Sequence, residues 1–211
     1  MSGLGSSSLQ FRCAATIPPS TPYPLNLPLM KLSPKLVPLL LLLLASALMG
    51  AGEPGLRVGD SAPDFKLASS AGDPLSLQDL RSSGPVALVF VRSTEWCPFC
   101  RRQLQDLQKS LKEIEATGVR LVALSYDSPA TNTTAAAKLG LTFPLLSDAG
   151  SKVIDAYGIR NHEATGRGDG IPHPAVFIVD RQGVIRAKLM RDGYRDRPES
   201  SEIITAVQRL K

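Results

Sequence analysis

Two kinds of hydrophobic spacing alternate along this chain. Residues 86–91, Val-Ala-Leu-Val-Phe-Val, form an unbroken apolar, β-branched run of the kind that makes a strand buried on both faces. Leu104, Leu107, Leu111 and Ile114 then recur at spacings of 3, 4 and 3 with polar residues between them, which predicts one amphipathic helix ended by Gly118. Residues 120–125 predict a second buried strand, and Asp127-Ser128-Pro129 predict the cap of a helix that runs through Ala135-Ala136-Ala137 to Leu139 and stops at Gly140. Residues 143–146 read as an edge strand, because Pro144 has no N–H to give to a ladder. Residues 152–157 predict a short helix, and the glycine-rich, charged stretch 158–173 a long loop. Residues 175–179 and 184–189 flank Asp180-Arg181-Gln182-Gly183 as a hairpin whose alternating second arm belongs nearer an edge. A last helix over 198–210 turns Ile203, Ile204, Val207 and Leu210 inward. Upstream, turns around Val58-Gly59-Asp60 and Gly72-Asp73 predict a small hairpin before the main sheet. Strands alternating with helices and then a hairpin and helix make an α/β domain: a mixed central sheet flanked by helices, with an N-terminal hairpin extension.

The pattern breaks down before residue 52. Residues 1–29 are rich in Ser and Pro and show no periodicity. Met30 then opens a different segment, in which Lys31 and Lys35 precede an apolar stretch over 36–49 and Ala45-Ser46-Ala47 offers small residues at the spacing of a signal peptidase site. Residues 1–51 therefore read as a leader with a signal peptide, Met30 as the functional start, 52–57 as a linker and 58–211 as the domain. The stretch is shorter than the ~20 residues that span a bilayer, and an uncleaved membrane anchor is the alternative. Both of these readings export the domain to a periplasmic or extracellular compartment; a transit-type leader is the third reading. Of the net +5, Arg12, Lys31 and Lys35 belong to the leader, which also lacks acidic residues; no basic stripe remains to argue for nucleic acid.

Chemistry concentrates where the central strand hands over to the first helix, at Thr94-Glu95-Trp96-Cys97-Pro98-Phe99-Cys100. The third cysteine, Cys13, lies in the leader, so the domain has no disulfide framework and its two sulfurs point to paired redox chemistry. Three residues apart in a first helical turn, they lie close on one face, where unsatisfied N–H groups favour a thiolate. Lowering a thiol from about 8.5 to about 7 needs roughly 2 kcal/mol, and a helix end supplies about 0.3–2 kcal/mol of it. Pro98 suits the first turn because its missing N–H would have no partner there. Cys97, nearer the helix start and solvent, is the expected nucleophile. His162 and His173 are the only histidines and, with the cysteines, form a soft donor set of the kind that holds copper or zinc. Asn132-Thr133-Thr134 is a glycosylation sequon and Arg167-Gly168-Asp169 an adhesion tripeptide, the latter read as a turn.

Ala62-Pro63-Asp64-Phe65, the strand into Trp96-Cys97-Pro98-Phe99-Cys100, and residues 174–180 with Gly183 together resemble the redoxin (AhpC/TSA) branch of thioredoxin-like proteins. The resemblance implies a thioredoxin-like fold over roughly residues 56–210, no bound cofactor and no metal. Within the branch the features are mixed. Thr94 and Cys97 match the T-x-x-C half of the peroxiredoxin motif, but Phe90 stands where that motif has Pro, and Pro174 where it has an Arg before the later strand. Trp96, Cys97, Cys100 and Pro174 match instead the W-C-x-x-C and cis-Pro of thioredoxins and their exported TlpA-like relatives. The resemblance thus implies an exported thiol-disulfide oxidoreductase that cycles a Cys97–Cys100 disulfide, with Thr94, Trp96, Pro98 and Pro174 supporting. Its partners would be thiol or disulfide proteins and electron donors. One alternative is a thiol-dependent peroxidase acting on hydroperoxides with Cys97 as peroxidatic cysteine, Thr94 either facing the sulfur or the peroxide or serving as an ordinary turn hydroxyl. A second is a Sco-like copper-binding module, against which C-x-x-C falls one residue short of C-x-x-x-C.

Overall fold

The structure, a computed structural model, describes residues 53–193 and 195–210. The signal segment, the start at Met30 and the leader boundary lie outside these residues. Among the described residues no helix is long and apolar enough to cross a membrane.

Among the described residues seven strands form one sheet: β1 (Lys66–Ser69), β2 (Gly72–Ser76), β3 (Val86–Phe90), β4 (Arg120–Ser125), β5 (Leu145–Ser147), β6 (Ala175–Val179) and β7 (Ile185–Met190), in the order β2-β1-β5-β4-β3-β6-β7. β4 pairs parallel with β3 and β5, and every other pairing is antiparallel, so the sheet is mixed. β3 is buried along its whole length at the centre, paired from Val86↔Arg120 to Phe90↔Leu124 on one side and from Val86↔Val179 to Phe90↔Ala175 on the other. Its uninterrupted apolar sequence is what that position requires.

Among the described residues, six α-helices cover the faces: α1 (Leu77–Arg81), α2 (Pro98–Lys109), α3 (Leu111–Ala116), α4 (Pro129–Leu139), α5 (Lys152–Ala156) and α6 (Ser200–Gln208). Alternate residues of β3 point to opposite faces. Ala87 and Val89 join Leu104, Leu107, Ile114, Ile203 and Val207 in one core, while Val86, Leu88 and Phe90 join Leu77, Leu80, Ile154 and Tyr157 in the other. In the second core the rings of Phe90, Tyr157 and Phe177 pack with centroids 5.1–5.8 Å apart, tilted or edge to face.

Three expectations change. The single helix expected up to Gly118 is two, because Ser110 (φ −93°, ψ 5°) leaves helical geometry; its N–H still donates to Asp106 O and its carbonyl accepts from Ile114 N, so the apolar stripe passes through the break unshifted. β5 is interior rather than an edge, since Pro144 precedes the strand and the β1–β2 hairpin docks antiparallel on its free side, Ala68 opposite Ser147. Of residues 52–57, expected as a linker, the described part, 53–57, lies along the domain: Leu56 N–H donates to Tyr157 O and Lys188 Nζ donates to Pro54 O at 2.7 Å, and just beyond it Gly59 N–H donates to Ile185 O and Ala62 N–H to Gly183 O. Gly55 (φ +98°) permits this approach; a Cβ there would come 2.5 Å from Ile159 Cγ2 and 2.9 Å from Tyr157 O. The expected edge position of the second hairpin arm is met, β7 being the outermost strand beside β6.

Candidate active site

β3 ends at Phe90 and the chain crosses the end of the sheet through residues 91–96 before α2 begins. Cys97 is the N-cap of α2 in an extended conformation, with Pro98 at the first helical position. The Cys97 sulfur accepts the Cys100 N–H at 3.3 Å, occupying the place a serine or aspartate oxygen takes in an ordinary cap. The two sulfurs are joined in a disulfide with 5.3 Å between Cα atoms. Both are interior, Cys97 1% and Cys100 0% exposed, so Cys97 does not have the solvent-facing position expected of it in this oxidised state. The exposed residues of the turn are Pro98 and Phe99.

The loop before the disulfide is held by a buried polar network. Asp127 turns inward, accepting Ser93 Oγ–H (2.8 Å) and Thr94 N–H (2.6 Å), while its neighbour Ser128 caps α4 by accepting Thr131 N–H. Thr94 Oγ1 lies 3.0 Å from Asp127 Oδ2 and 2.9 Å from Asn132 Oδ1, so its single proton is used within that pair. Asn132, 1% exposed, also accepts Ser125 Oγ–H and donates to Leu146 O, tying the loop to β4 and β5. Of the two readings of Thr94, facing the sulfur or serving as a turn hydroxyl, its bonds to Asp127 and Asn132 fit the second in this state. Trp96 is half-buried; its indole N–H donates to Tyr126 OH (3.0 Å), which donates to Arg167 O, and the guanidinium carbons of Arg92 and Arg167 lie 5.1 and 5.8 Å from its ring centroid. Arg167 also pairs with Glu95 at 3.2 Å, so the adhesion-like tripeptide has its arginine folded back on the active-site loop.

Pro174 is buried immediately before β6 and lines a groove of about 380 Å³ with Arg92, His173, Asn161 and Met190. His173 is partly buried there, and that burial lowers its pKa against the opposing pull of Glu163. Neither histidine meets the cysteines in a ligand set: among the described residues no three His, Cys, Asp or Glu cluster closely enough to hold a metal ion.

Two arginines that no motif singles out complete the site. Arg197, from the segment leading into α6, donates through Nη2 to Cys100 Sγ at 3.7 Å, and Arg92 bears on it electrostatically. Burial, reinforced by the Arg92 charge and opposed by Asp196, lowers the Arg197 guanidinium to about 10. It stays protonated at neutral pH.

A disulfide at a helix start, a proline before the neighbouring antiparallel strand and a mixed sheet between two helical layers describe a redox site of thioredoxin type. Residues 58–188 match the AhpC/TSA family. The chain belongs to that family. Alkyl hydroperoxide reductase E of Mycobacterium tuberculosis is 36% identical over 138 residues, 64% of this chain and 86% of its own length. Thiol-disulfide oxidoreductase ResA of Halalkalibacterium halodurans is 32% identical over 130 residues, 61% of this chain and 66% of its own length. Among solved structures, peroxidoxin BcpB of M. tuberculosis superposes with a TM-score of 0.65 at 23% identity, covering 74% of this chain and 99% of that one, and a peroxiredoxin-like protein of Aquifex aeolicus gives 0.65 at 21% identity over 75% and 90%. The fold is thioredoxin-like, and this AhpC/TSA protein is a redoxin-type thiol-dependent oxidoreductase.

Proposed function

We propose that this redoxin exchanges disulfides with protein thiols outside the cytoplasm through Cys97 and Cys100. The observation that carries the reading is the Cys97–Cys100 disulfide closed across the first turn of α2, with the Cys97 sulfur taking a cap hydrogen bond that stabilises it as a thiolate once reduced. In the reducing direction the Cys97 thiolate attacks a substrate disulfide, forming a mixed disulfide and releasing one substrate thiolate. Cys100 then attacks Cys97 Sγ, the second substrate sulfur leaves with its electron pair, and the chain is oxidised by two electrons. The groove beside Pro174 runs past Arg92, where an extended substrate segment would lie. The export signal read in residues 30–49 supports the compartment.

Peroxide reduction is the second reading, favoured by the 36% identity to alkyl hydroperoxide reductase E. It would make Cys97 a sulfenic acid, which Cys100 condenses with, releasing water. Against it stand Phe90, locked into the three-ring cluster where the peroxidase motif has proline, and Thr94, whose hydroxyl is engaged by Asp127 and Asn132. The deciding experiment gives the reduced protein hydrogen peroxide and, separately, a protein disulfide, and follows the loss of the two thiols. Faster loss with the disulfide is expected; faster loss with peroxide would install the second reading.

A further inference from the structure

We propose that Arg197 is a catalytic residue of the exchange, the cation that holds Cys100 as a thiolate. This rests on the dithiol cycle above and adds to it a specific source of charge for the second sulfur. The helix start favours Cys97 through the Cys100 N–H, but Cys100 is itself three residues into the helix and wholly buried, and burial in an apolar core raises a thiol's pKa. Left to the apolar core it shares with Leu104, Val91 and Ile203, it would be protonated when the mixed disulfide needs resolving. The Arg197 guanidinium, 3.7 Å from Cys100 Sγ, supplies the counter-charge.

Arg197 Nη1 donates to Asp196 O at 2.8 Å, and several of the other charges around this pair are engaged elsewhere. On α2, Arg101 donates to Glu95 O and is turned away toward the loop, and Gln103, buried on the same helix, carries no charge. Asp106 and Glu199 line a cavity together with Arg197; Asp106 is paired with Lys109 at 2.8 Å, and Glu199 caps α6. Asp196 and Arg92 act on Arg197 from its own segment and from the loop after β3, with opposite sign.

The consequence runs in both directions of the cycle. When a substrate thiolate attacks Cys97 Sγ, a new sulfur–sulfur bond forms to Cys97, the Cys97–Cys100 bond breaks and its electron pair departs on Cys100, where Arg197 receives the charge. A second substrate thiolate then displaces Cys97, leaving the substrate oxidised and the chain reduced by two electrons. In the reverse direction the same guanidinium keeps Cys100 ionised for its attack on the mixed disulfide, with no side-chain base needed to take its proton.

The test uses the full chain with Cys13→Ser and Cys97→Ser, so that Cys100 is the single thiol, and follows its alkylation rate against pH. Its midpoint is expected below the ordinary value of about 8.5. Arg197→Gln should raise the midpoint by about one unit and cut the rate near pH 7 by about tenfold, and Arg197→Lys, which keeps the charge, should move it by less than half as much. A midpoint unchanged in Arg197→Gln, or shifted equally in both variants, overturns the proposal. A second measurement needs no change at position 197: the guanidinium ¹⁵N resonance of Arg197 should titrate with the Cys100 midpoint, and a resonance indifferent to Cys100 ionisation overturns it as well. With both cysteines present, Arg197→Gln should shift the equilibrium with glutathione about tenfold toward the disulfide, about 30 mV. If the unsubstituted chain failed to exchange disulfides at all, the dithiol cycle would fall while the thiol titration still reported on Arg197.

Discussion

Asn132 does three things with one side chain: its amide oxygen accepts from Thr94 and Ser125, and its amide nitrogen donates to Leu146 O. Replacing it with Ala would strand those groups in the interior, and Asn132→Ala should lose about 1–3 kcal/mol in urea denaturation. The two sulfurs divide their roles in a way a trap can separate. Cys97→Ser should abolish exchange, and Cys100→Ser should accumulate a mixed disulfide visible as an adduct in intact mass. His173 offers a pH signature. Its pKa is lowered in the folded chain chiefly by burial, so the unfolded chain binds the proton more readily and acid favours unfolding. Stability should hold above the ordinary histidine value near 6.5 and decline as pH falls through the lower folded value; His173→Gln should flatten that decline in denaturation series across the range. Some of these residues were legible from sequence and some were not. The cysteine pair, Trp96 and Pro174 are marked by spacing and motif. Asp127 reads as a helix cap because it precedes Ser128 and Pro129, and only the fold turns it inward. Arg197 lies 97 residues from Cys100 in a polar segment with no periodicity, so nothing local marks it.

At the scale of elements, hydrophobic spacing located β3 to β7 and the principal helices, because burial on one face or two leaves a periodic mark, while the β1–β2 hairpin was marked only by its turns. It could not show which strand lies beside which. Pro144 was a sound reason to doubt a ladder, yet it sits one residue before β5, and the partner that covers the strand's other side comes from a hairpin some 75 residues upstream. The break at Ser110 was equally invisible, since Leu111 and Ile114 keep phase across it. β3 carries the heaviest demand. Phe90 is 0% exposed, and its ring contacts both Tyr157 and Phe177. Phe90→Ala should cost about 3–5 kcal/mol by thermal or chemical denaturation. Phe90→Pro, which writes the peroxidase motif's proline into the chain, would remove the ring together with a central-strand N–H, and should destabilise the fold rather than confer peroxide activity.

Across the whole molecule, the two cores meet the site differently. The core beneath α2, α3 and α6 contains both sulfurs, so helix packing and disulfide position are set by the same apolar contacts. The core on the other face fixes the end of β3 through Phe90 and Tyr157. Tyr157 is buried, its hydroxyl donating to Pro63 O, and burial with the nearby Asp64 charge raises its pKa, so it remains a neutral donor throughout the working range. That hydroxyl joins α5 to the stretch that enters the domain, the same stretch that runs from Glu53 along β7.

This entry path matters to anyone handling the protein. Glu53 and Pro54 form one wall of the groove that also holds Arg92 and Pro174. An affinity tag, fluorophore or solid support joined directly upstream of Glu53 would therefore begin at the mouth of the groove. Assays with macromolecular substrates are better built on material whose handle has been cut away or moved to the opposite terminus.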